Sequence, residues 1–402
     1  MTTAPSRTRA FGRDWPHGRS TRSSVVAQFG TSRADLAAWA LTTGDPLADA
    51  VVEEIHHGGR VVRAAFQKGL ADGLASVEDP PDAVAALLAQ TEATPHYVDD
   101  ELLDQASLPH FNSPLPVSII SLAAGALIRT YESPSIAQVL TMTGRLIDGV
   151  PRRLEETGRW VNTVMVPGSL RPGQPGYVAT LQVRLMHAYM RRLARNRGYD
   201  EAALGVPINQ IDLARTWMDF TLVSYRAKHA MGYELTSAET ASLYRYWWYI
   251  AHLLGVDAEL VEGISSNEDA ARVDSLLQAV TGPRIPEASP LAHATLKAIA
   301  QTLSAVTPLP ERVGQQALYA LTRRFHGPGL ARELNLPRAA VADAVLAAGI
   351  RGLRARQTRQ RRDPAAWRAA QQANVAAARE ITERPGDQVA YEEAARHGAA
   401  TD

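Results

Sequence analysis

Three polar residues that could bind a cofactor recur at helical spacing near the middle of the chain. Arg184, His187 and Arg191 are three and four positions apart, so an α-helix brings them to one side. Such a face could hold a haem, with a nitrogen of His187 on the iron and the two guanidinium groups near the propionates, because guanidinium forks match carboxylates. The same spacing is also typical of a solvated basic helix face, and spacing alone does not choose between these interpretations.

A second polar set lies one helix earlier. Arg153, Glu156 and Thr157 follow the i, i+3, i+4 pattern, which again places them on one helix face. Trp160 and Val164 give the same helix apolar positions for packing. The set suits either the polar wall of a site or a solvated surface on which Arg153 pairs with Glu156 or Thr157.

Several classes of chemistry are excluded by what the sequence lacks. It contains no cysteine, which excludes disulfides, a thiolate nucleophile, iron-sulfur clusters and zinc sites that need sulfur. The motifs G-x-S-x-G, G-x-G-x-x-G, Walker A and H-E-x-x-H are absent as well, which removes the best-marked hydrolases, nucleotide-binding proteins and zinc proteases. A metal must therefore use histidine, carboxylates or the ligands of its own cofactor.

Charge and hydropathy also limit the partners. Lysine plus arginine and aspartate plus glutamate both total 42, so no global basic field exists and we expect no nucleic-acid partner. The longest apolar stretch, Leu115 to Ile128, is shorter than the roughly 18 residues that a membrane span needs, so it predicts a buried helix. The arginine-containing segment Met1 to Ser24 has no apolar region typical of a secretory signal. We therefore expect a cytoplasmic protein without a membrane span; the oligomeric state stays open.

Apolar residues recur three and four positions apart almost throughout, which predicts an all-α fold. Asp45-Pro46 begins one helix and Gly58-Gly59 ends it, while the glycines and prolines of 166–176 predict a loop. Further helices are predicted over 84–93, 134–140, 151–165, 178–195, 210–230, 237–254, 268–281, 290–306, 311–325 and 337–353.

The predicted organisation is one large helical domain with two flanking segments. Residues 1–30 are expected to form a flexible, arginine-containing segment, and residues 31–350 the domain itself. Residues 351–402 begin with six closely spaced arginines and continue with an alanine-rich stretch. They predict a basic surface helix and a frayed tail, with an RNA- or anionic-lipid-binding patch as the alternative.

Several stretches together carry a family resemblance. The chain resembles the latex-clearing-protein and MpaB family of haem oxygenases over about residues 44–350, and the RLMHA core at 184–188 is the most specific part. The stretches that carry the resemblance are GDPLADAV (44–51), RTY (129–131), TG (143–144), RRLEETGRWV (152–161), VPGSL (166–170), VRLMHAYMR (183–191), GVPINQID (205–212) and TW (216–217).

The resemblance implies a globin-like helical core around a b-type haem, with His187 as the proximal ligand. It also implies that Arg153 and Thr157 line the distal side, where O2 is the co-substrate. Two positions depart from the rubber-cleaving members, which carry a lysine just before the threonine and a glutamate, the proposed base, on the preceding helix. Here the first position is Glu156, and an ungapped register puts Ala137 at the second.

The leading hypothesis is a haem b-dependent oxygenase that cleaves a C=C bond of a small apolar substrate, such as an isoprenoid alkene, or inserts oxygen into it. Arg153, Glu156 and Thr157 are the expected catalytic residues. The apolar stretch at 115–128 and the aromatic stretch at 244–249 would supply the pocket. A biosynthetic tailoring step suits a chain without an export signal better than polymer degradation.

Three alternatives remain open. They are a peroxidase or peroxygenase with the same haem, a non-catalytic haem- or ligand-binding protein, and a protein that binds no haem.

Overall fold

The computed structural model describes residues 15–142, 149–306, 309–338 and 340–382, and within these ranges the chain forms helices joined by turns, with no strand. The all-α fold predicted from apolar spacing is confirmed. In chain order the α-helices are α1 (Arg22–Phe29), α2 (Thr31–Leu41), α3 (Pro46–Asp72), α4 (Asp82–Glu92), α5 (Asp100–Gln105), α6 (Leu115–Ile120), α7 (Ile128–Thr130), α8 (Pro134–Met142), α9 (Val150–Met165), α10 (Pro175–Asn196), α11 (Glu201–Leu204), α12 (Gln210–Met218), α13 (Ser224–Ala230), α14 (Ser237–Leu253), α15 (Ala258–Val261), α16 (Asn267–Thr281), α17 (Ala288–Val306), α18 (Glu311–Glu333), α19 (Ala340–Arg361) and α20 (Pro364–Thr382).

Most helix ends follow local sequence signals. Asp45 caps α3 by accepting a hydrogen bond from the backbone N–H of Ala48 at 3.3 Å. Thr236 and Glu239 form a reciprocal capping box at the start of α14. The expected end at Gly58-Gly59 is a kink instead: Gly59 adopts φ 61°, and a second helical stretch continues to Asp72.

Two π-helical stretches interrupt longer helices. Ser121–Leu127 separates α6 from α7, and Asp219–Val223 separates α12 from α13. The two stretches pack against each other. The predicted helices over 115–128 and 210–230 are confirmed in position, whereas the wider turns within them have no signature in the apolar spacing. Such π turns often occur at functional sites, because they re-aim side chains within a helix.

Two apolar clusters make up the interior. The larger joins α2, α3, α4, α9, α10, α12, α14 and α16, and the second joins α8, α17 and α18 with the π stretch at Ser121–Leu127. Burial of this apolar surface is the main favourable term in folding. Residues from both clusters contribute to the cavity described below.

The N-terminal boundary placed at residue 30 requires correction. Residues 1–14 lie outside the described ranges, but Val25 of α1 is fully buried and Arg19 is 4% exposed. The guanidinium of Arg19 lies 3.3 Å from the carboxylate of Asp212 in α12. Residues 15–30 therefore belong to the folded domain.

The C-terminal boundary at residue 350 requires the same kind of correction, because α19 runs through it without interruption. Helix α20 packs against α9, and its residues Gln371 and Asn374 donate hydrogen bonds to the carbonyl oxygens of Leu108 and Phe111. The alanine-rich helix is thus docked on the domain. Residues 383–402, where the frayed tail is expected, lie outside the described residues.

Within the described ranges, no single helix is long and apolar enough to cross a membrane. By length and composition alone, a bent pair does pass that test: Asp100–Asn112 and Leu115–Thr130, which meet at 89°.

Candidate active site

One cavity of about 300 Å³ brings together four of the six residues singled out from the sequence. His187 of α10 lines it, as do Arg153, Glu156 and Thr157 of α9. The remaining wall is mostly apolar, which is typical of a pocket that holds an apolar ligand and orients it with a few polar groups. Other lining residues come from α8, α12, the π stretch at Asp219–Val223 and α14, among them Ile136, Leu140, Leu213, Phe220 and Trp247.

Helix α9 presents its polar set to the cavity because the i, i+3, i+4 spacing aligns these residues with Trp160, which also lines the wall. Pro151 occupies the first turn of α9, where its missing N–H disrupts no helical hydrogen bond. Glu156 accepts a hydrogen bond from Nε of Arg152 at 2.7 Å, and the Arg152 side chain is 48% exposed. Glu156 therefore lies between the cavity and a cation that reaches solvent.

His187 contributes a neutral imidazole to the cavity wall. Burial and the nearby Arg191 guanidinium lower the pKa of His187 to about 4, so its ring carries no charge near neutral pH. Its Nδ1 atom is buried and has no hydrogen-bond partner among the described residues. A neutral imidazole has a lone pair available for a metal, and an unpartnered buried nitrogen needs an explanation, such as a bound ligand.

Arg184 and Arg191 do not line this cavity. Nε and Nη2 of Arg184 lie 2.6 and 3.0 Å from the two carboxylate oxygens of Asp45, and Nε of Arg191 lies 2.7 Å from Oδ1 of Asp49. Both guanidinium groups are buried. The expected place of these arginines beside propionates is therefore corrected: each binds a carboxylate, but the carboxylates belong to α3 and the residue that caps it.

Helix geometry explains this difference. At about 100° per residue, Arg184 and Arg191 are about 20° apart around α10, while His187 lies some 40–60° to one side of both. Val183 and Met190, which line the cavity, lie further round on the side of His187. The arginines thus face α3 while the histidine faces the cavity.

Aromatic side chains form much of the apolar wall. Phe220 stacks on Trp247 with ring centroids 5.9 Å apart, and Trp160 meets Trp247 edge-on at 6.2 Å. Trp217, also in the wall, donates from Nε1 to the carbonyl oxygen of Trp247 at 2.9 Å. The sequence indicated Trp247 as a source of pocket surface, whereas Trp248 of the same stretch does not line the cavity.

Asp212 is a cavity residue that the sequence did not single out. Its carboxylate accepts hydrogen bonds from Ser133 at 3.1 Å and Ser135 at 2.5 Å, in addition to its ion pair with Arg19. Because these partners compensate its charge, Asp212 holds α8, α12 and the N-terminal segment together at the cavity edge. The sequence signal for Asp212 was its position in the GVPINQID stretch. Arg19 lies too far away in sequence for a local motif to predict that it pairs with Asp212.

Position 137 also requires correction. Ala137 is fully buried in the second apolar cluster, while its neighbours Ile136 and Leu140 line the cavity. An alignment without gaps therefore places Ala137 at the position of the proposed base, although Ala137 does not line the cavity. Helix α8 itself contains no acidic residue, and the carboxylate bonded to it, Asp212, comes from α12. The Thr143-Gly144 element of the resemblance lies outside the described residues.

Comparisons with known proteins agree with this architecture. A family model described as "ER-bound oxygenase mpaB/B'/Rubber oxygenase, catalytic domain" matches residues 111–355, more than half of the chain. The fold is similar to a solved structure of latex clearing protein in the closed state, with a TM-score of 0.62 and 17% sequence identity over 89% of this chain and 90% of that one. The search of curated protein sequences found no match.

Proposed function

Because this chain belongs to the ER-bound oxygenase mpaB/B′/rubber oxygenase family through its catalytic domain, we propose that it is a haem b-dependent oxygenase with a small apolar substrate. The observation that carries this proposal is His187: a neutral imidazole, with an unpartnered buried nitrogen, in the wall of a largely apolar cavity. Substrate oxidation would be cleavage of a C=C bond or insertion of oxygen.

The donor set of the cavity fits a haem group. With no cysteine in the chain, imidazole is the natural proximal donor, and His187 offers one in the neutral form that metals bind. Apolar and aromatic side chains suit the faces of a macrocycle. Arg153 lines the cavity and would pair with a propionate or with developing negative charge, since Arg184 and Arg191 are bound to Asp45 and Asp49.

When bound, the haem would supply the redox chemistry that activates O2, while the protein supplies binding, orientation and electrostatics. Arg153 and Thr157 place hydrogen-bond donors on the α9 wall, and such donors stabilise negative charge that develops during reaction. The aromatic wall around Trp247 would leave less room for water beside the bound group, which would strengthen those interactions.

Glu156 would hold or move a proton at the same wall. Its Oε1 atom is bonded to Arg152, which is half-exposed, so the carboxylate connects the cavity with solvent. A carboxylate there can accept a proton from substrate and release it outward. Glu156 thus pairs with a surface arginine and also lines the cavity, so the two interpretations of this residue are compatible.

The substrate we propose is a single small apolar molecule rather than polyisoprene, and the reaction a biosynthetic tailoring step. A mostly apolar wall suits such a molecule, and the haem would share this cavity of about 300 Å³, which limits the space left for a substrate. The lysine of the rubber-cleaving members is replaced by Glu156, and α8 offers no acidic residue.

The proposal is tested by measuring O2 uptake with short isoprenoid alkenes and with latex, followed by analysis of carbonyl products. We expect uptake and carbonyl or oxygenated products with the short alkenes, and none with latex. Rapid formation of oligo-isoprenoid aldehydes and ketones from latex would contradict the substrate proposal. Turnover that requires peroxide and consumes no O2 would support the peroxygenase alternative instead.

A further inference from the structure

A second, smaller cavity adjoins the first. It measures about 50 Å³ and shares Leu127, Leu154 and Thr157 with the main cavity. We call it the side chamber. Its own walls come from the α6 and π segments, from α9 and from Ile299 of α17. Thr157, expected on the distal side of the active site, therefore belongs to the wall that the two spaces have in common.

Gly158 gives the side chamber part of its space. It lies inside α9, where glycine is less favourable than alanine, yet a Cβ built at this position would meet no atom of the described residues within 4 Å. The backbone conformation is helical and needs no glycine, and no close approach of another element requires one. The missing side chain leaves open volume at the chamber wall.

Most of the residues that line the chamber are apolar. Nδ2 of Asn162 donates to the carbonyl oxygen of Gly158 at 2.9 Å, so one donor of that amide is used within the helix. Burial and the charge of Lys228 lower the pKa of His110 well below its usual range, so His110 is neutral. Apart from the side chains of Ser118 and Thr157, the other walls are aliphatic, including Ile119. Cavities with mostly apolar walls take up small apolar ligands.

The size of the chamber limits its occupant. About 50 Å³ exceeds the roughly 10–15 Å³ that one water molecule requires, but it is far below the volume of the main cavity. A diatomic gas fits, whereas a substrate large enough to fill the main cavity does not.

We propose that the side chamber is a holding site for O2, from which the gas enters the main cavity past Thr157. This inference rests on the proposed function, because O2 is consumed in the main cavity only if the protein is an oxygenase. The chamber would raise the local concentration of O2 beside the site where it reacts, without occupying the space of the organic substrate.

The test uses xenon as a probe of the chamber and O2 kinetics as a probe of its role, both on the purified protein with its cofactor bound. Gly158→Leu fills the chamber, and Gly158→Ala narrows it while favouring the helix. Gly349→Ala is the matched control, since Gly349 is a helical glycine in α19 whose Cβ would also meet nothing within 4 Å in the described part of the chain. The methyl NMR signals of Ile119 and Leu122 report xenon binding.

We expect saturable xenon-induced shifts of these methyl signals. Gly158→Leu should lower the affinity for xenon roughly tenfold, because the added side chain must be displaced. The KM for O2 should rise by a similar factor while the KM for the organic substrate stays unchanged, and Gly349→Ala should change neither. Gly158→Ala, which folds even if the leucine variant does not, should give a smaller change in the same direction.

Two results would overturn the inference: absence of xenon shifts at Ile119 and Leu122, or xenon binding with a KM for O2 that neither Gly158 variant changes. A protein that binds xenon in the chamber but consumes no O2 with any substrate would contradict the proposed function, and the O2 role with it, rather than the cavity. The xenon measurement thus separates the two failures.

Discussion

Loss of the Asp45 charge should destabilise the protein strongly without weakening cofactor binding directly. The side chains of Asp45 and Arg184 are 4% and 3% exposed, and two hydrogen bonds of 2.6 and 3.0 Å join them. Asp45→Asn retains a good N-cap for α3 but leaves the Arg184 guanidinium without its counter-ion. Removal of one partner from a buried pair costs about 3–5 kcal/mol, and that is the loss of unfolding free energy we expect.

The assay is urea unfolding of the cofactor-free protein, followed by haem titration of each folded variant. Arg184→Met should also destabilise, and the double variant should lose less than the sum of the two, with a coupling energy of about 2–3 kcal/mol. Glu53→Gln, which removes a half-exposed partner of Arg192, is the control and should cost less than about 1 kcal/mol.

The opposite pattern would refute this interpretation of the arginine face. If Arg184→Met left the stability of the cofactor-free protein unchanged but weakened haem binding tenfold or more, Arg184 would serve the cofactor and not Asp45.

Three further predictions concern the cavity wall. Arg153→Ala should lower turnover roughly a hundredfold with haem still bound, because one donor to developing charge is worth about 3 kcal/mol, and steady-state kinetics at the wild-type level would show a packing role only. Glu156→Gln should change the pH profile of turnover; identical pH profiles and identical visible spectra would remove Glu156 from the mechanism. The pKa of His187 is about 4 in the folded chain and about 6.5 when unfolded, so the cofactor-free protein should lose stability as pH falls from 6.5 to 4. In urea titrations, His187→Phe should reduce this dependence of stability on pH. An unchanged dependence in the variant would place His187 in contact with solvent.

Apolar spacing and caps were sufficient to predict many of the helices, but not α1 and α2, and α18 and α19 extend beyond their predicted ends. The expected 210–230 and 237–254 helices lie within a residue of the observed bounds, because a 3.6-residue pattern and a cap such as Thr236 are local signals. Gly59 shows the limit: a glycine indicates a break, but packing of the following stretch decides whether helix resumes.

The site was predictable only in part. Arg153, Glu156, Thr157 and His187 line one cavity, as their spacing and the family resemblance suggested. The partners of Arg184, Arg191 and Asp212 were not predictable, because Asp45, Asp49 and Arg19 are more than a hundred residues away in sequence. Residues spaced three and four positions apart share only a broad side of a helix. An angular offset of some 40–60° around α10 is enough for the arginines to face α3 while His187 faces the cavity.

The visible absorption spectrum and haem content of the purified protein, compared between wild type and His187→Ala, test the central claim most directly. We expect one b-type haem per chain in the wild type and in His229→Ala, a control at an exposed histidine of α13. His187→Ala should lose the haem while far-ultraviolet circular dichroism shows its helices intact. A wild-type protein that takes up no haem, or a His187→Ala protein with an unchanged haem spectrum, would contradict the account.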